Sequence, residues 1–502
     1  MSRSKLILVV LIITLALFYP TLKTGWSALR LLNTSKKALI SAQDYSQHLF
    51  SNDLKKQQAV ATSFKNDLNE LSQNLIKFNT QTDKSWIARQ VISSKKDQLL
   101  TAQDLISIAQ DLLSGEQTYA LLFQNSEELR ATGGFLGSYA IIKLSDGVLI
   151  DFKIEDIYVP DGQFEWFIEA PTGAKEYLSG GDGLKLRDAN WQADFSMSAQ
   201  QILTYLAWGK EAGIDGAVAV NLPLVEKILA VTGPIFIHDY DQTITHHNFS
   251  DVARADRGDF FPGSIQKQHF LNIFFNQLLI KLKNLDYSQQ KLLLAEISTS
   301  AIQKDLQFYS NDQHLQSLFE KLAIAGILTK PDQAGYLMLV ESNVGINKAN
   351  QNLDRAVNLK INDQASSIEV TFVNHNLPPA SNSQHPDEAN HLGYVNYQRL
   401  ILDPSVNVSQ IEFDGQPIPD WDEELIKNSQ GQIFKQIGFL ITVPEQETKK
   451  LTIFFDQSNL IKNDQIYIQK QAGVDRIPYH FEYYNHQQAL ELTKDTLVNL
   501  NK

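Results

Sequence analysis

The chain has 502 residues, of which 43% are hydrophobic and 20% are charged. This composition excludes collagen-like, low-complexity and largely disordered proteins, and the length suggests about three domains. There is no cysteine, which excludes disulfides, thiolate metal sites and a cysteine nucleophile. The formal net charge of −13 argues against nucleic acid as a partner, because nucleic-acid binding requires a basic surface.

A long uncharged segment close to the N-terminus predicts a membrane anchor. Residues 6–22 read LILVVLIITLALFYPTL, a length at the low end of what crosses a bilayer as a helix. Arg3 and Lys5 precede the segment, which orients the N-terminus to the cytoplasm. A cleaved signal peptide is the alternative, but the small residues after the segment lack a second small residue two positions earlier. We expect residues 1–25 to be a cytoplasmic flank and a single transmembrane helix at the cell membrane, with the bulk of the chain extracytoplasmic.

Residues 26–115 contain no proline and place apolar residues at helical spacing. The first seam comprises Leu54, Ala61, Phe64, Leu68, Leu71, Leu75 and Phe78, and the second comprises Leu99, Leu100, Leu105, Ile106, Ala109, Leu112 and Leu113. The polar sequence NTQTDK at residues 79–84 is typical of a turn between the two seams. The pattern predicts a stalk of two long helices in an antiparallel hairpin. This stalk is a structural spacer or, alternatively, a protein-binding coiled coil.

Residues 116–350 predict a central α/β domain, since strand-like and helix-like segments alternate along them. Asp146-Gly147 separates two apolar runs and is a good hairpin signal. An amphipathic helix is predicted over residues 199–207, followed by a strand, a helix and another strand within residues 216–237.

Residues 351–502 change to short alternating apolar runs separated by turn clusters. The runs include residues 357–361, 368–372, 439–443, 451–455, 466–468, 479–484 and 489–500, and the turns include residues 374–387, 403–404, 414–415 and 428–431. About eight strands at this spacing predict a β-sandwich. The whole chain is therefore expected to be a multidomain α+β protein.

Three blocks in the central domain resemble an uncharacterised bacterial family, catalogued as domain of unknown function 4012. They are FQNSEELRATGGFLG at 123–137, LRDANWQADFSMSAQQIL at 186–203 and IDGAVAVNLPLVEKILAVTGPI at 214–235. This resemblance implies no particular chemistry.

The order of elements also resembles, more distantly, the LytR–CpsA–Psr family. The matching blocks are IEDIYV at 154–159, DGAVAVNLPLVEKILAVTG at 215–233 and RADRGDFFPGSIQKQHFL at 254–271. The resemblance implies a membrane-anchored phosphotransferase that moves glycopolymer from a polyprenyl-pyrophosphate lipid to peptidoglycan. The sequence departs from that family's pattern at Glu155, Gly263 and Gln266, where arginines would stand.

This second resemblance implies three catalytic candidates, Arg130, Asp156 and Arg254, with Lys267 as a further basic residue. Together with Arg187, the two arginines would hold a pyrophosphate, since Arg supplies permanently charged, bidentate donors. Asp156 is in register with that family's acid, and it would bind Mg²⁺ or assist deprotonation of an acceptor hydroxyl. Mg²⁺ is the only cofactor expected.

Two loops supply candidate ligand-binding residues on the evidence of their own residue types. Gly133-Gly134 allow exposed backbone N–H groups, and they form either an anion-binding nest or a tight turn into a strand. Arg187, Asp188, Asn190 and Trp191 lie in one short loop before a helix. They bind a sugar or phosphate, or they form a buried Arg–Asp pair.

The sequence therefore predicts an extracytoplasmic protein of the cell envelope that binds or handles a lipid-linked or cell-wall glycan. The expected partners are membrane lipid and a polyprenyl-phosphate-linked glycan or peptidoglycan. A glycopolymer phosphotransferase and a non-catalytic surface adaptor are the alternatives. Convergence of Arg130, Arg187 and Arg254 on one pocket would favour the enzyme, and their scattering would favour the other two.

Overall fold

The computed structural model describes residues 26–48, 53–84, 96–162, 167–253, 265–361, 366–378, 393–456 and 460–500. Its α-helices are α1 (Trp26–His48), α2 (Leu54–Lys84), α3 (Lys96–Leu112), α4 (Tyr158–Asp161), α5 (Ala174–Tyr177), α6 (Phe195–Trp208), α7 (Leu222–Thr232), α8 (Phe249–Ala253), α9 (Ile265–Lys283), α10 (Tyr287–Ile302) and α11 (Gln313–Lys321). None of these described helices is long and apolar enough to cross a membrane. The anchor predicted at residues 6–22 lies outside the described residues.

The strands fall into a central group and a C-terminal group. The central strands are β1 (Glu116–Asn125), β2 (Phe135–Ser145), β3 (Val148–Asp156), β4 (Gly216–Asn221), β5 (Ile235–Ile237), β6 (Gln242–Ile244) and β7 (Leu306–Ser310). The C-terminal strands are β8 (Gly335–Asn343), β9 (Leu353–Ile361), β10 (Ser366–Asn374), β11 (Tyr394–Leu402), β12 (Val408–Phe413), β13 (Gln416–Pro417), β14 (Asp422–Lys427), β15 (Ile433–Val443), β16 (Thr448–Phe455), β17 (Gln465–Ile468), β18 (Ile477–Tyr483), β19 (His486–Leu492) and β20 (Thr496–Asn499). The chain is thus a multidomain α+β protein.

The N-terminal helices form a hairpin, but its two arms are α1 and α2 rather than the two seams that the sequence paired. Tyr45 of α1 stacks on Phe64 of α2 with ring centroids 5.4 Å apart, and Lys37 pairs with Glu70. These pairings run in opposite directions along the two helices, so the helices are antiparallel. The predicted turn at residues 79–84 is wrong, because α2 continues to Lys84. That segment is polar but contains neither Gly nor Pro, so nothing in it breaks a helix.

The hairpin docks on the central domain. The Tyr45 hydroxyl donates a hydrogen bond to the Gly147 carbonyl in the turn between β2 and β3, and Val148 belongs to the apolar cluster of the hairpin. Helix α3 adds Ile108 to a second cluster with Phe319 of α11. The predicted stalk is therefore packed against the domain that follows it.

The central domain is a mixed five-stranded sheet in the order β3-β2-β1-β4-β7. Strands β1 and β4 are parallel, and the other neighbouring pairs are antiparallel. Helix α6 covers one face through a cluster that includes Ile202 and Tyr205. Helices α7 and α9 cover the other face through Leu229 and Phe274. The predicted alternation of strands and helices is confirmed, as is the hairpin at Asp146-Gly147.

The C-terminal region consists of two sheets, in the orders β13-β12-β16-β10-β9-β18-β19 and β14-β15-β11-β8-β17-β20. They share one apolar cluster, to which Phe372 and Ile453 contribute from the first sheet and Leu400 and Ile441 from the second. We call this two-sheet region the β-domain. Strand β8 lies inside its second sheet, although it precedes residue 351, where the sequence predicts the β-region to begin.

Candidate functional site

Arg130 lies in the loop between β1 and β2, at the carboxyl end of β1. Its side chain is 1% exposed, and its five N–H groups make five hydrogen bonds within the chain. Nε and one terminal nitrogen donate to Asp188 Oδ1 at 3.4 and 3.3 Å, and the same terminal nitrogen donates to Glu128 Oε1 at 2.9 Å. The other terminal nitrogen donates to the carbonyls of Leu129 and Asn343. A guanidinium has five N–H donors, so this set leaves none for a phosphate.

The carboxylates around Arg130 are themselves enclosed. Glu128 and Asp188 are 8% and 6% exposed. Burial raises the pKa of the Glu128 carboxyl above its ordinary value, while the adjacent Arg130 opposes the rise. The three groups form a closed ion cluster in which the cation offsets the burial of two acids.

Gly133 and Gly134 are packed rather than open. Gly133 has φ +132, and a Cβ there would clash with the side chain of Asn221 at the end of β4. The Gly133 N–H donates to the Arg130 carbonyl at 3.0 Å, and the Gly134 carbonyl accepts from Asn190 Nδ2 at 2.8 Å. Gly133 thus makes room for the Asn221 side chain and Gly134 for the backbone of Asn125, which fits the tight-turn alternative.

The loop that carries Arg187 to Trp191 begins with a 3₁₀ turn, Leu186–Asp188, before α6. Arg187 donates to Asp161 Oδ2 at 3.0 Å, and its guanidinium lies over the Tyr158 ring at 5.3 Å. Its side chain is 30% exposed, so it keeps one side toward solvent. Asn190 is fully buried and donates to Gln124 Oε1 at 2.9 Å.

Trp191 is 1% exposed and lies between the central domain and the β-domain. The Arg399 guanidinium of β11 sits 4.5 Å from the Trp191 ring centroid, and it donates to the Trp191 carbonyl at 2.9 Å. Burial lowers the pKa of Arg399 to about 10. Tyr397 stacks on the same indole with centroids 5.7 Å apart. The indole therefore serves as a packing surface for the β-domain.

The β-domain also covers the carboxyl ends of β1 and β4, where ligands bind in many α/β sheets. Gln471 donates to the carbonyls of Arg130 and Glu341 at 3.1 and 2.8 Å. Gly473 lies against the Gly133 carbonyl so closely that a Cβ would clash with it. The segment from 469 to 474, which we call the covering segment, thus occupies the position where an open site would lie.

Three sequence candidates remain, Asp156, Arg254 and Lys267. Asp156 ends β3, is 1% exposed and accepts a hydrogen bond from the Tyr158 N–H at 3.0 Å. Among the described residues, no group of three His, Asp or Glu side chains is placed to hold a metal ion. Arg254 lies outside the described residues, and Lys267 lies in α9, which packs on the opposite face of the sheet from α6.

An open cleft lies at the other end of α6. It has a volume of about 430 Å³, and its walls include Gln200, Leu203, Trp208, Glu211 and Asn311. Trp208 is 38% exposed, in contrast to Trp191. We call this space the Trp208 cleft. Its residues were not among those that the sequence pointed to.

Sequence reasoning also missed the β-domain residues that complete the buried cluster. Arg399 and Gln471 come from positions more than 200 residues beyond the loops they contact. Arg399 does have a local signal, since a charged residue interrupts the apolar strand YVNYQRLIL. Gln471 has none.

Comparison with known proteins bears on the central domain alone. No curated protein matches the chain. The resemblance to the LytR–CpsA–Psr family gains no support from these comparisons. Residues 114–257, which run from β1 past α8 and contain all three sequence blocks, match the model of a family described as a protein of unknown function (DUF4012).

Proposed function

We propose that the protein is a membrane-anchored, extracytoplasmic binding protein without phosphotransferase activity, in which the central domain and the β-domain, as a β-sandwich adaptor, act as one rigid head. The anchor is the uncharged segment 6–22. The acidic composition fits a role away from nucleic acid.

The observation that carries the non-catalytic part of the proposal is the complete use of Arg130 inside the protein. Pyrophosphate recognition requires arginine donors that point into a space the substrate can enter. Arg130 donates all five N–H groups to Glu128, Leu129, Asp188 and Asn343, and the covering segment lies against the same loop. Arg187 donates to Asp161. Of the three candidate arginines, Arg130 is thus used within the fold, and Arg187 pairs with an acid of the chain.

The contacts between the two domains support the rigid head. Trp191, Arg399 and Gln471 tie the domains together through buried hydrogen bonds and ring packing. Buried hydrogen bonds of this kind favour one arrangement of the two domains, although Arg399 Nε has no hydrogen-bond partner among the described residues. A head held in this way suits a protein that presents a binding surface at a fixed orientation.

The full chain, reconstituted in lipid nanodiscs, tests the proposal. It is incubated with Mg²⁺, a polyprenyl-pyrophosphate-linked oligosaccharide and a peptidoglycan fragment as acceptor, and it is assayed for transfer and for hydrolysis. We expect no turnover above the empty-nanodisc control. Turnover that falls in an Arg187→Ala variant would establish the phosphotransferase alternative instead.

A second experiment tests the location. Cells that express the full chain are treated with protease before and after the membrane is opened. We expect the acidic head to be digested in intact cells, since the basic flank at Arg3 and Lys5 holds the N-terminus inside. Protection of the head until the membrane is opened would overturn the extracytoplasmic assignment.

A further inference from the structure

The Trp208 cleft has the composition of a sugar-binding site. A pyranose ring presents one face of C–H groups and a rim of hydroxyls, so it is recognised by an aromatic surface flanked by hydrogen-bonding side chains. The cleft offers the half-exposed indole of Trp208 together with an apolar floor at Leu203 and Ile214. Gln200, Glu211 and Asn311 supply amide and carboxylate groups around it.

The aromatic surface is held in place by buried neighbours. Trp208 packs edge-on against Tyr205, with ring centroids 5.7 Å apart. Tyr205 is fully buried, and its hydroxyl donates to the Leu184 carbonyl at 2.6 Å. Helix α6 ends directly after Trp208, where the Gly209 N–H donates to the Tyr205 carbonyl at 2.8 Å. The indole is thus presented at a fixed position at the end of a helix.

Asn311 is fixed in the same way at the floor of the cleft. Its Nδ2 donates to the Ile214 carbonyl at 2.9 Å, and its Oδ1 accepts from the Tyr309 hydroxyl at 3.0 Å. A carboxamide has two N–H groups and two acceptor lone pairs, and these contacts with described residues use one of each. A donor and an acceptor side by side match a pair of neighbouring sugar hydroxyls.

The charge at the cleft selects against an anionic ligand. Glu211 lines the cleft, and its Oε1 already accepts from Lys153 at 3.0 Å. Lys153 also pairs with Glu155 at 2.5 Å, so this cation is shared between two acids. The local balance is negative, like that of the whole chain. A sugar without a charge therefore fits better than a phosphate or a uronic acid.

We propose that the Trp208 cleft binds a neutral pyranose unit of a glycan, with the sugar stacked on Trp208 and its hydroxyls on Asn311 and Glu211. This inference names the ligand class of the proposed binding protein and rests on that proposal. It moves the glycan site from the loop of Trp191 to the opposite end of α6.

The test uses the full chain in nanodiscs, because many detergents carry sugar headgroups of their own. Chitotetraose and cellotetraose are the probes, and saturation-transfer NMR with titration measures binding. We expect saturable binding of at least one tetrasaccharide, weakened about tenfold by Trp208→Ala and less by Trp208→Phe, which keeps a ring. Preference for chitotetraose would point to an amino-sugar polymer, and preference for cellotetraose to a neutral glucan.

A matched control is Tyr484→Ala, which removes another half-exposed aromatic side chain from the β-domain. This variant is expected to bind as the wild type does. The inference fails if neither tetrasaccharide binds to a folded wild-type chain, or if Trp208→Ala binds as tightly as the wild type. Neither result depends on turnover or on protease access, so failure here is distinct from failure of the proposed function.

Discussion

The two ends of helix α6 have opposite surroundings, although an aromatic residue lies near each. At the first end Asp194 accepts hydrogen bonds from Met197 within the helix and from Leu328 and Ser429 at the β-domain. At the other end Trp208 faces an open cleft. The difference teaches that the packing of the β-domain, and not the residue type, decides which of the two tryptophans can be reached by a ligand.

Replacement of the two tryptophans by alanine tests this contrast directly. Trp191→Ala is expected to lower the free energy of unfolding by about 4 kcal/mol, because it leaves a large cavity beneath Arg399 and Tyr397. Trp208→Ala is expected to lower it by less than about 1 kcal/mol, since the indole is half exposed. Urea unfolding followed by far-UV circular dichroism measures both. Equal losses would show that the two ends do not differ in burial as described.

Replacement of Arg130 tests whether the buried ion cluster stabilises the contact between the central domain and the β-domain. Arg130→Met leaves the enclosed Glu128 without its cation and leaves Asp188 only the longer contact with Arg187 at 3.7 Å, so we expect the free energy of unfolding to fall by about 3 kcal/mol. Arg187→Met is the matched control with an expected loss of about 1 kcal/mol, because that side chain is partly solvated. The measurement is again urea unfolding. If Arg130→Met is as stable as Arg187→Met, the buried ion cluster is not needed for the stability of the fold.

A glycine pair separates close packing from backbone strain at the covering segment. Gly473 and Gly431 both have positive φ, of +77 and +82, but only Gly473 lies against another backbone, at Gly133. We expect Gly473→Ala to lower the free energy of unfolding by about 2 kcal/mol and to increase the rate of amide hydrogen exchange in residues 469–474. Gly431→Ala should cost about 1 kcal/mol and leave that exchange unchanged. If both variants exchange alike, the covering segment is not held by this contact.

Much of the fold could be predicted because the spacing of apolar residues along a helix or strand indicates which of them are buried. Every residue of the first helical seam from Ala61 to Phe78 is buried, while its first member, Leu54, is 56% exposed. The strands β11, β12 and β14 were not predicted. Strand β11 is buried along most of its length and strand β14 is largely exposed, so neither shows the alternation that marks a half-buried strand.

The candidate site was predictable only where its partners are local. A buried Arg–Asp pair was one of the two alternatives for the loop of Arg187. Arg187 lies 3.7 Å from Asp188 but is 30% exposed, and it donates at 3.0 Å to Asp161, which lies outside that loop. The remaining partners of the cluster come from distant strands, such as Asn343 for Arg130. A sequence motif cannot report such contacts, because they depend on how two domains pack rather than on residue spacing.

Lys470 gives the smallest effect and tests the covering segment by pH. Its Nζ donates to the carbonyls of Gln303 and Gln471 at 2.9 and 3.0 Å, and burial lowers its pKa from 10.5 to about 8. Between pH 8 and about 10, Lys470 carries a proton in the unfolded chain but largely not in the folded chain. The free energy of unfolding therefore rises with pH in this range. We expect the free energy of unfolding to increase by about 1 kcal/mol between pH 8 and pH 9.

The gain should disappear in Lys470→Met and persist in Lys360→Met, whose parent side chain is 52% exposed. Urea unfolding at pH 7, 8 and 9 provides the measurement, and only the slope with pH is compared. Such a comparison is unaffected by the carbonyls that the Met variant leaves without a donor, because that loss is the same at every pH. If the free energy of unfolding changes with pH as steeply in Lys470→Met as in the wild type, then Lys470 is in contact with water in the folded chain. In that case the β-domain would cover the central sheet less closely than its contacts with Gly133 and Arg130 require.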